Sequence, residues 1–117
     1  MSTSEIATVL AWHDALSEKN LGTLAELSSD DIEIGDADGA AQGLDALHEW
    51  ARGFPGPVTT GRLFVHGGTV VAEQTLADGT TAASAFRVVH DQVTSVFRHD
   101  DLAAALAATD LTEDDQA

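Results

Sequence analysis

The chain has 117 residues, enough for one domain with one modest core. It carries 20 Asp+Glu against 5 Lys+Arg, a formal net charge of −15, so nucleic acid and anionic membrane surfaces are excluded as partners because both demand a cationic face. It contains no cysteine, which excludes disulfides, thiolate metal sites and thiol catalysis.

A hydrophobic content of 44% is that of a globular chain. No apolar run approaches the roughly 18 residues of a membrane span. The start, MSTSEIATVLAWHDAL, shows neither the basic region nor the cleavage site of a signal peptide, so a cytoplasmic location is expected. Lys19 is the single lysine. Such a composition fits two origins, a GC-rich genome or a salt-adapted cytoplasm.

In chain order, Ser2-x-x-Glu5 reads as a capping box opening a helix over about 4–18. Its apolar arc is Ile6, Val9, Leu10, His13 and Leu16, with His13 central and Trp12 on the flank. A short helix follows over about 21–28, with Asn20 as cap and Leu21, Leu24 and Leu27 on its apolar side. Alternation from Asp30 to Asp36 predicts a short strand, and Asp36-Ala-Asp-Gly39 a turn. A third helix is expected over about 43–52, stopped by Gly53 and by Phe54-Pro-Gly-Pro57.

The period then changes. Gly67-Gly68, Asp78-Gly79 and Asp91-Gln92 separate four strands at about 58–66, 69–77, 80–90 and 93–100, and a last helix spans about 101–109. If all three turns are two-residue loops, Phe64, Val71, Phe86 and Phe97 share one row of one face. Arg62, Glu73, Ser84 and His99 form the row beside it. That face is expected to meet the helices. Leu63, Val65, Val70, Ala72, Ala85 and Val96 fall on the opposite face, apolar enough to predict a homodimer through it. TEDDQA closes the chain as an acidic, solvated, disordered tail over about 110–117.

The order helix, short helix, strand, helix and four-strand meander carries a resemblance. The segments TVLAWHDALSEKNLGTLAELSSDDIEI, AAQGLDALHEWARG and AFRVVHDQVTSVFRHDDLAAALAA resemble the nuclear transport factor 2-like superfamily, in its polyketide-cyclase (SnoaL-like) and ketosteroid-isomerase-like branch. The resemblance covers about residues 4–109 and implies an α+β fold, in a chain whose length fits a single domain over 1–117. Its fold would be a cone (cystatin-like), in which a curved, mostly antiparallel sheet wraps the N-terminal helices around a cavity. The family holds isomerases, epoxide hydrolases, dehydratases and cyclases as well as proteins that only bind ligands or partners, so the fold does not choose among these functions. Its enzymes commonly place an acid or base on the concave face and a polar residue, frequently Tyr, on the first helix. This chain has no Tyr, and His13 is the residue that fits the second position.

Catalytic candidates are therefore Glu73 as a desolvated base, His99 beside it, Arg62 as its charged neighbour and His13 as a hydrogen-bond donor. Trp12, Asp36, Trp50, Phe64, Phe86 and Phe97 are the candidate pocket residues. Each has an ordinary alternative: a satisfied core histidine, a cross-strand ion pair, a turn Asp, apolar packing. His48, His66 and His90 read as surface or turn residues. No metal is expected, since the five His are scattered and Gly39 comes too early for a calcium loop. No cofactor is expected either, since no phosphate-binding glycine loop is present.

Three functions remain open: a cofactor-independent isomerase, cyclase or hydrolase acting on a small apolar substrate; a ligand-binding protein without turnover; an accessory dimeric module with a filled cone. One consequence of the charge is independent of that choice. Screening should relieve more repulsion than it removes attraction. The thermal midpoint should therefore rise from low salt to about molar potassium chloride; a sulfate comparison separates screening from water structuring.

Overall fold

A computed structural model describes residues 2–36, 38–54 and 56–117, with side chains from residue 4 onward. The Ser2 capping box, Ala37 and Pro55 lie outside the described residues. The elements are α1 (Ser2–Ser17), α2 (Leu21–Glu26), β1 (Ser28–Asp36), β2 (Gly39–Gln42), α3 (Leu44–Arg52), β3 (Val58–His66), β4 (Thr69–Leu76), β5 (Thr81–Val89), β6 (Gln92–His99) and α4 (Leu102–Thr109), closed by a 3-10 turn at Glu113–Asp115. Asn20 caps α2 as expected, accepting from the Thr23 N–H at 3.2 Å. β2 was not expected; it pairs antiparallel with the end of β1 across the Asp36–Gly39 turn.

The six strands form one curved α+β sheet in the order β2-β1-β6-β5-β4-β3. It is antiparallel throughout except where β1 runs parallel to β6. No helix among the described residues is long and apolar enough to cross a membrane.

The register departs from the expected one at two of three hairpins. Gly67-Gly68 is the two-residue turn the sequence predicts, with His66 opposite Thr69. Between β4 and β5, however, the Leu76 N–H donates to Thr80 O at 2.8 Å and the Gly79 N–H to Leu76 O at 3.0 Å. The loop is Ala77-Asp78-Gly79, with Gly79 at φ 87°, the three-residue geometry that needs a left-handed last residue. The third turn is His90-Asp91, at φ 52° and 63°, so Val89 faces Gln92. The first change slips the pairing by one residue; the second slips it by two at the turn, and a bulge between Arg87 and Val88 leaves a net slip of one along the rest of β5 and β6. A slip of one turns a strand's side chains over.

Phe86 therefore joins Val70, Ala72, Val96 and Ile34 on the face that meets α1, in a core with Val9, Trp12, Leu16, Leu24 and Leu47. The face carrying Phe64, Val71 and Phe97 is the outer one. α4 and Leu111 pack on part of it, forming a second cluster with Phe64, Val71, Ala83, Ala85 and Ala105. The expected dimer face is thereby corrected: Val70, Ala72 and Val96 are core residues, not an exposed patch. Trp12 is also more central than its flank position implied, fully buried, whereas Leu10 is 37% exposed. The segment expected as a solvated tail returns to the sheet: Leu111 is buried and Gln116 bridges to Phe64.

Lys19 holds the helical layer to itself. Its Nζ donates to Ala51 O at 2.7 Å and Phe54 O at 2.6 Å, satisfying carbonyls where α3 ends. Lys19→Met keeps the aliphatic stem and removes both bonds. It should lower unfolding free energy by about 1–3 kcal/mol in urea titration, with unchanged far-ultraviolet circular dichroism of the folded state.

Candidate functional site

α1 crosses the concave face and presents Trp12 and His13 to it. The Trp12 Nε1–H donates to Ser28 Oγ at 3.0 Å, and Ser28 Oγ–H donates onward to Leu24 O at 2.7 Å. This fixes the indole against Phe86, edge to face at 5.4 Å between ring centres, and against Trp50 at 5.8 Å. The interior is thus filled by rings at the level where a cavity was expected.

His13 sits among them, 2% exposed. Its Nδ1 lies 2.8 Å from Val9 O. A carbonyl only accepts, so Nδ1 carries the proton and Nε2 is an acceptor. The Gln74 Nε2–H donates to it at 2.8 Å, and Ser84 Oγ–H donates to Gln74 Oε1 at 2.9 Å. Three buried polar side chains thereby satisfy one another across α1, β4 and β5. Burial lowers the His13 pKa below 6.5, opposed by the bond to Val9 and by the nearby charge of Asp14. Gln74 is the partner that sequence reasoning missed; Ser84 was placed on the helix-facing side, but in a row with Glu73. The assumed register turned Gln74 outward; the signal available was one amide in the otherwise apolar alternation of Val70, Ala72 and Leu76.

Glu73 and Arg62 are elsewhere. Residues 61 and 62 bulge opposite Glu73, whose carboxylate accepts from both the Arg62 backbone N–H and Nε at 3.3 Å. The pair lies on the outer face with side chains 33% and 47% exposed. The Arg62 guanidinium holds the Glu73 carboxyl below its ordinary range, the reverse of what a desolvated base requires. Glu73 is the sole carboxylate of β3–β6 among the described residues, so the concave side of these strands has no acid. Arg62, Glu73 and His99 do share one cross-strand row, with Glu73 opposite Ala83 and Ala83 opposite His99, but that row lies on the outer face, away from the buried His13.

His99 does reach a cavity. With Asp36, Phe97 and Arg98 it lines a cleft of about 550 Å³ at the open end of the sheet, completed by Asp38, Asp100, Asp101, Ala104 and Thr80–Ala82. Phe97 and His99 also line an adjoining groove of about 210 Å³ under α4. Asp36 and Trp50 border a third hollow of about 310 Å³ between β1, β2 and α3. Of the pocket candidates, Asp36, Trp50 and Phe97 are at these openings, Phe86 borders the groove under α4 while belonging to the core, and Trp12 and Phe64 are fully buried. Among the described residues, no group of three or more His, Asp or Glu is arranged to hold a metal ion.

A family model for the SnoaL-like domain matches residues 9–107. No curated protein matches the chain. Among solved structures, an LEH-like epoxide hydrolase of M. tuberculosis is 20% identical with a TM-score of 0.74, covering 92% of this chain and 96% of that one. A candidate ketosteroid isomerase of Kribbella flavida is also 20% identical, TM-score 0.72, covering 83% and 77%. A de novo designed protein with a curved β-sheet is 15% identical, TM-score 0.75, covering 94% and 96%. At these identities the likeness is one of fold.

The hydrogen-bond chain predicts a pH signature. A protonated His13 would set its Nε2–H against the Gln74 N–H. Because the folded pKa is lowered from 6.5, the unfolded chain takes up the proton first, and stability is lost as pH falls below about 6.5 towards the folded value. The loss is at most about 1.4 kcal/mol per pH unit for one proton. Urea midpoints between pH 7 and 5 should show it in the unaltered chain. They should be flatter in His13→Leu, which starts from lower stability because Val9 O and Gln74 lose a partner.

Proposed function

Since the chain belongs to the SnoaL-like domain family, we propose that it is a small-molecule-binding cone-fold protein that takes its ligand at the open end of the sheet. The observation that carries this reading is the cleft of about 550 Å³ with His99, Arg98, Asp36 and Phe97 on its walls. Its size falls in the range of small-molecule sites, about 300–1,000 Å³, whereas His13, Gln74 and Ser84 are buried and bonded to one another. The walls favour an amphipathic ligand over a wholly apolar one. Phe97, Ala82 and Ala104 supply apolar contact, Arg98 a forked donor, and Asp36, Asp38 and Asp100 acceptors.

His99 favours a second reading, in which the bound molecule is converted. An imidazole and carboxylates bordering one space are the minimum for general acid–base chemistry, and among structural neighbours the epoxide hydrolase and the candidate ketosteroid isomerase bear names of that kind. Binding is the broader reading and turnover the narrower one.

Both are tested with a library of small amphipathic compounds screened by ligand-observed NMR. Hits should be lost in Ala104→Trp, which fills the cleft from its exposed rim, and weakened in Arg98→Ala, while Glu73→Gln retains them. Hits that survive Ala104→Trp would place the site elsewhere. Conversion of any hit, abolished in His99→Gln with binding retained, would establish turnover; conversion that persists would remove His99 from the chemistry.

A further inference from the structure

β3 is one edge of the sheet, and the chain closes that edge along most of its length. At its start, the Val58 N–H donates to Ser17 Oγ at 3.0 Å. At its middle, the bulge at Gly61-Arg62 bends the rim and Glu73 bridges it. At its end, residues 111–117 fold back along the strand. Leu111, 6% exposed, packs with Phe64 and Val71, and Thr112 caps the 3-10 turn. Gln116 then forms an antiparallel bridge to Phe64, and the Ala117 N–H donates to Leu63 O at 2.8 Å.

Charge matches this return. From Trp50 to Ala72 the chain carries no Asp or Glu, although it has 20 in all. That stretch includes all of β3, whose sequence VTTGRLFVH is β-branched and aromatic with an Arg and a His. The returning segment brings the acids: Glu113 lies 3.8 Å from Arg62, and Asp115 lies 3.7 Å from His66. The other edge strand, β2, has four residues and follows Asp36 and Asp38. β3 has nine and no acid of its own, the profile of an edge that pairs with another strand unless it is covered.

We propose that residues 111–117 guard the β3 edge in cis, and that lifting them exposes a surface on which β3 of a second copy pairs antiparallel. The second copy is the occupant because β3 has no acid of its own and the one carboxylate at its bulge, Glu73, is paired with Arg62, so two chains of charge −15 meet there with least repulsion. Its exposed rim groups at Leu63 and Phe64 are those the segment satisfies. This surface is distinct from the ligand cleft and stands independently of the function proposed above.

The test uses the full chain. Leu111→Asp with Glu113→Lys and Asp115→Lys removes the apolar anchor, turns the Arg62 contact into repulsion and takes the carboxylate away from His66. Ala117→Pro removes only the bond to Leu63 O. Light scattering over a concentration series, at moderate salt, reads the mass, and amide exchange reads the rim over residues 61–66. In the triple variant the weight-average mass should double relative to the unaltered chain as concentration rises. An excess of a peptide with the sequence of residues 111–117 should reverse this. In Ala117→Pro the rim amides should exchange about tenfold faster with circular dichroism unchanged. The proposal is overturned if the triple variant exchanges faster at the rim yet keeps the unaltered mass at every concentration, or if its rim stays protected. Should circular dichroism show the triple variant unfolded, Ala117→Pro decides: faster rim exchange with a rise in mass at the highest concentrations supports the guard, and unchanged exchange or unchanged mass overturns it.

Discussion

Gly79, at φ 87°, ends a loop of three residues between β4 and β5, and the parity of that loop decides which half of the sheet faces the helices. With Leu76 opposite Thr80, Ala72 pairs Ser84 and Val70 pairs Phe86. The row of Val70, Phe86 and Val96 can then close over Trp12. The outer row of Val71, Ala85 and Phe97 is left to α4 and to whatever else the outer face meets. Gly35 completes the arrangement on the neighbouring strand. A Cβ there would lie 2.7 Å from the Phe97 ring, so only glycine lets β1 run beside β6 with that ring lying across it.

The consequence for chemistry is that the cone's interior is stabilised as a core and its end left as a site. Trp12, Phe86 and His13 are locked by mutual ring contacts, and the imidazole's two nitrogens are both engaged. A buried imidazole satisfied at both nitrogens, one of them by an amide that is itself held by a hydroxyl, specifies how α1 sits on β4 and β5. An apolar contact of the same area would tolerate sliding. Such a network is a poor general base, because its acceptor is already occupied and its charged form is disfavoured by burial. Reactive groups with room around them are found where the strands end, at His99, Arg98 and Asp36.

Element order, element type and most boundaries were legible in the sequence, because hydrophobic period and turn residues are local signals. α3 and α4 fall within a residue or two of expectation, Asn20 opens α2 as its cap and Gly53 ends α3. The facing of side chains was not legible. It depends on whether Asp78-Gly79 closes a two-residue or a three-residue loop, and both use the same dipeptide. One wrong parity placed Glu73, Phe64 and Phe97 in the interior alongside Phe86, where only Phe86 is found, and hid Gln74. His13 survived because a helix's apolar arc is read from one segment alone, without reference to a partner strand. Asp36 and Phe97 reached the cleft because they lie at strand ends, where either face opens onto it. The return of residues 111–117 along β3 was invisible for another reason: an acidic run scores as solvated unless its partners, here Arg62 and His66, are known to lie beside it.

Three of the five lysines and arginines stand at positions the fold depends on. Lys19 closes carbonyls at the end of α3. Arg62 spans the β3 bulge through Glu73 and reaches Glu113 in the returning segment. Arg98 stands in the cleft among Asp36, Asp38, Asp100 and Asp101. In a chain with excess acid, a surface ion pair contributes little and is screened by salt. A cation bonded to backbone carbonyls or bracing a bulge acts through geometry that screening does not dissolve. Salt should therefore relieve the repulsion among the many carboxylates while leaving these contacts in place. On that physical footing the sheet edge, the helix end and the cleft each keep their shape under the net charge of −15.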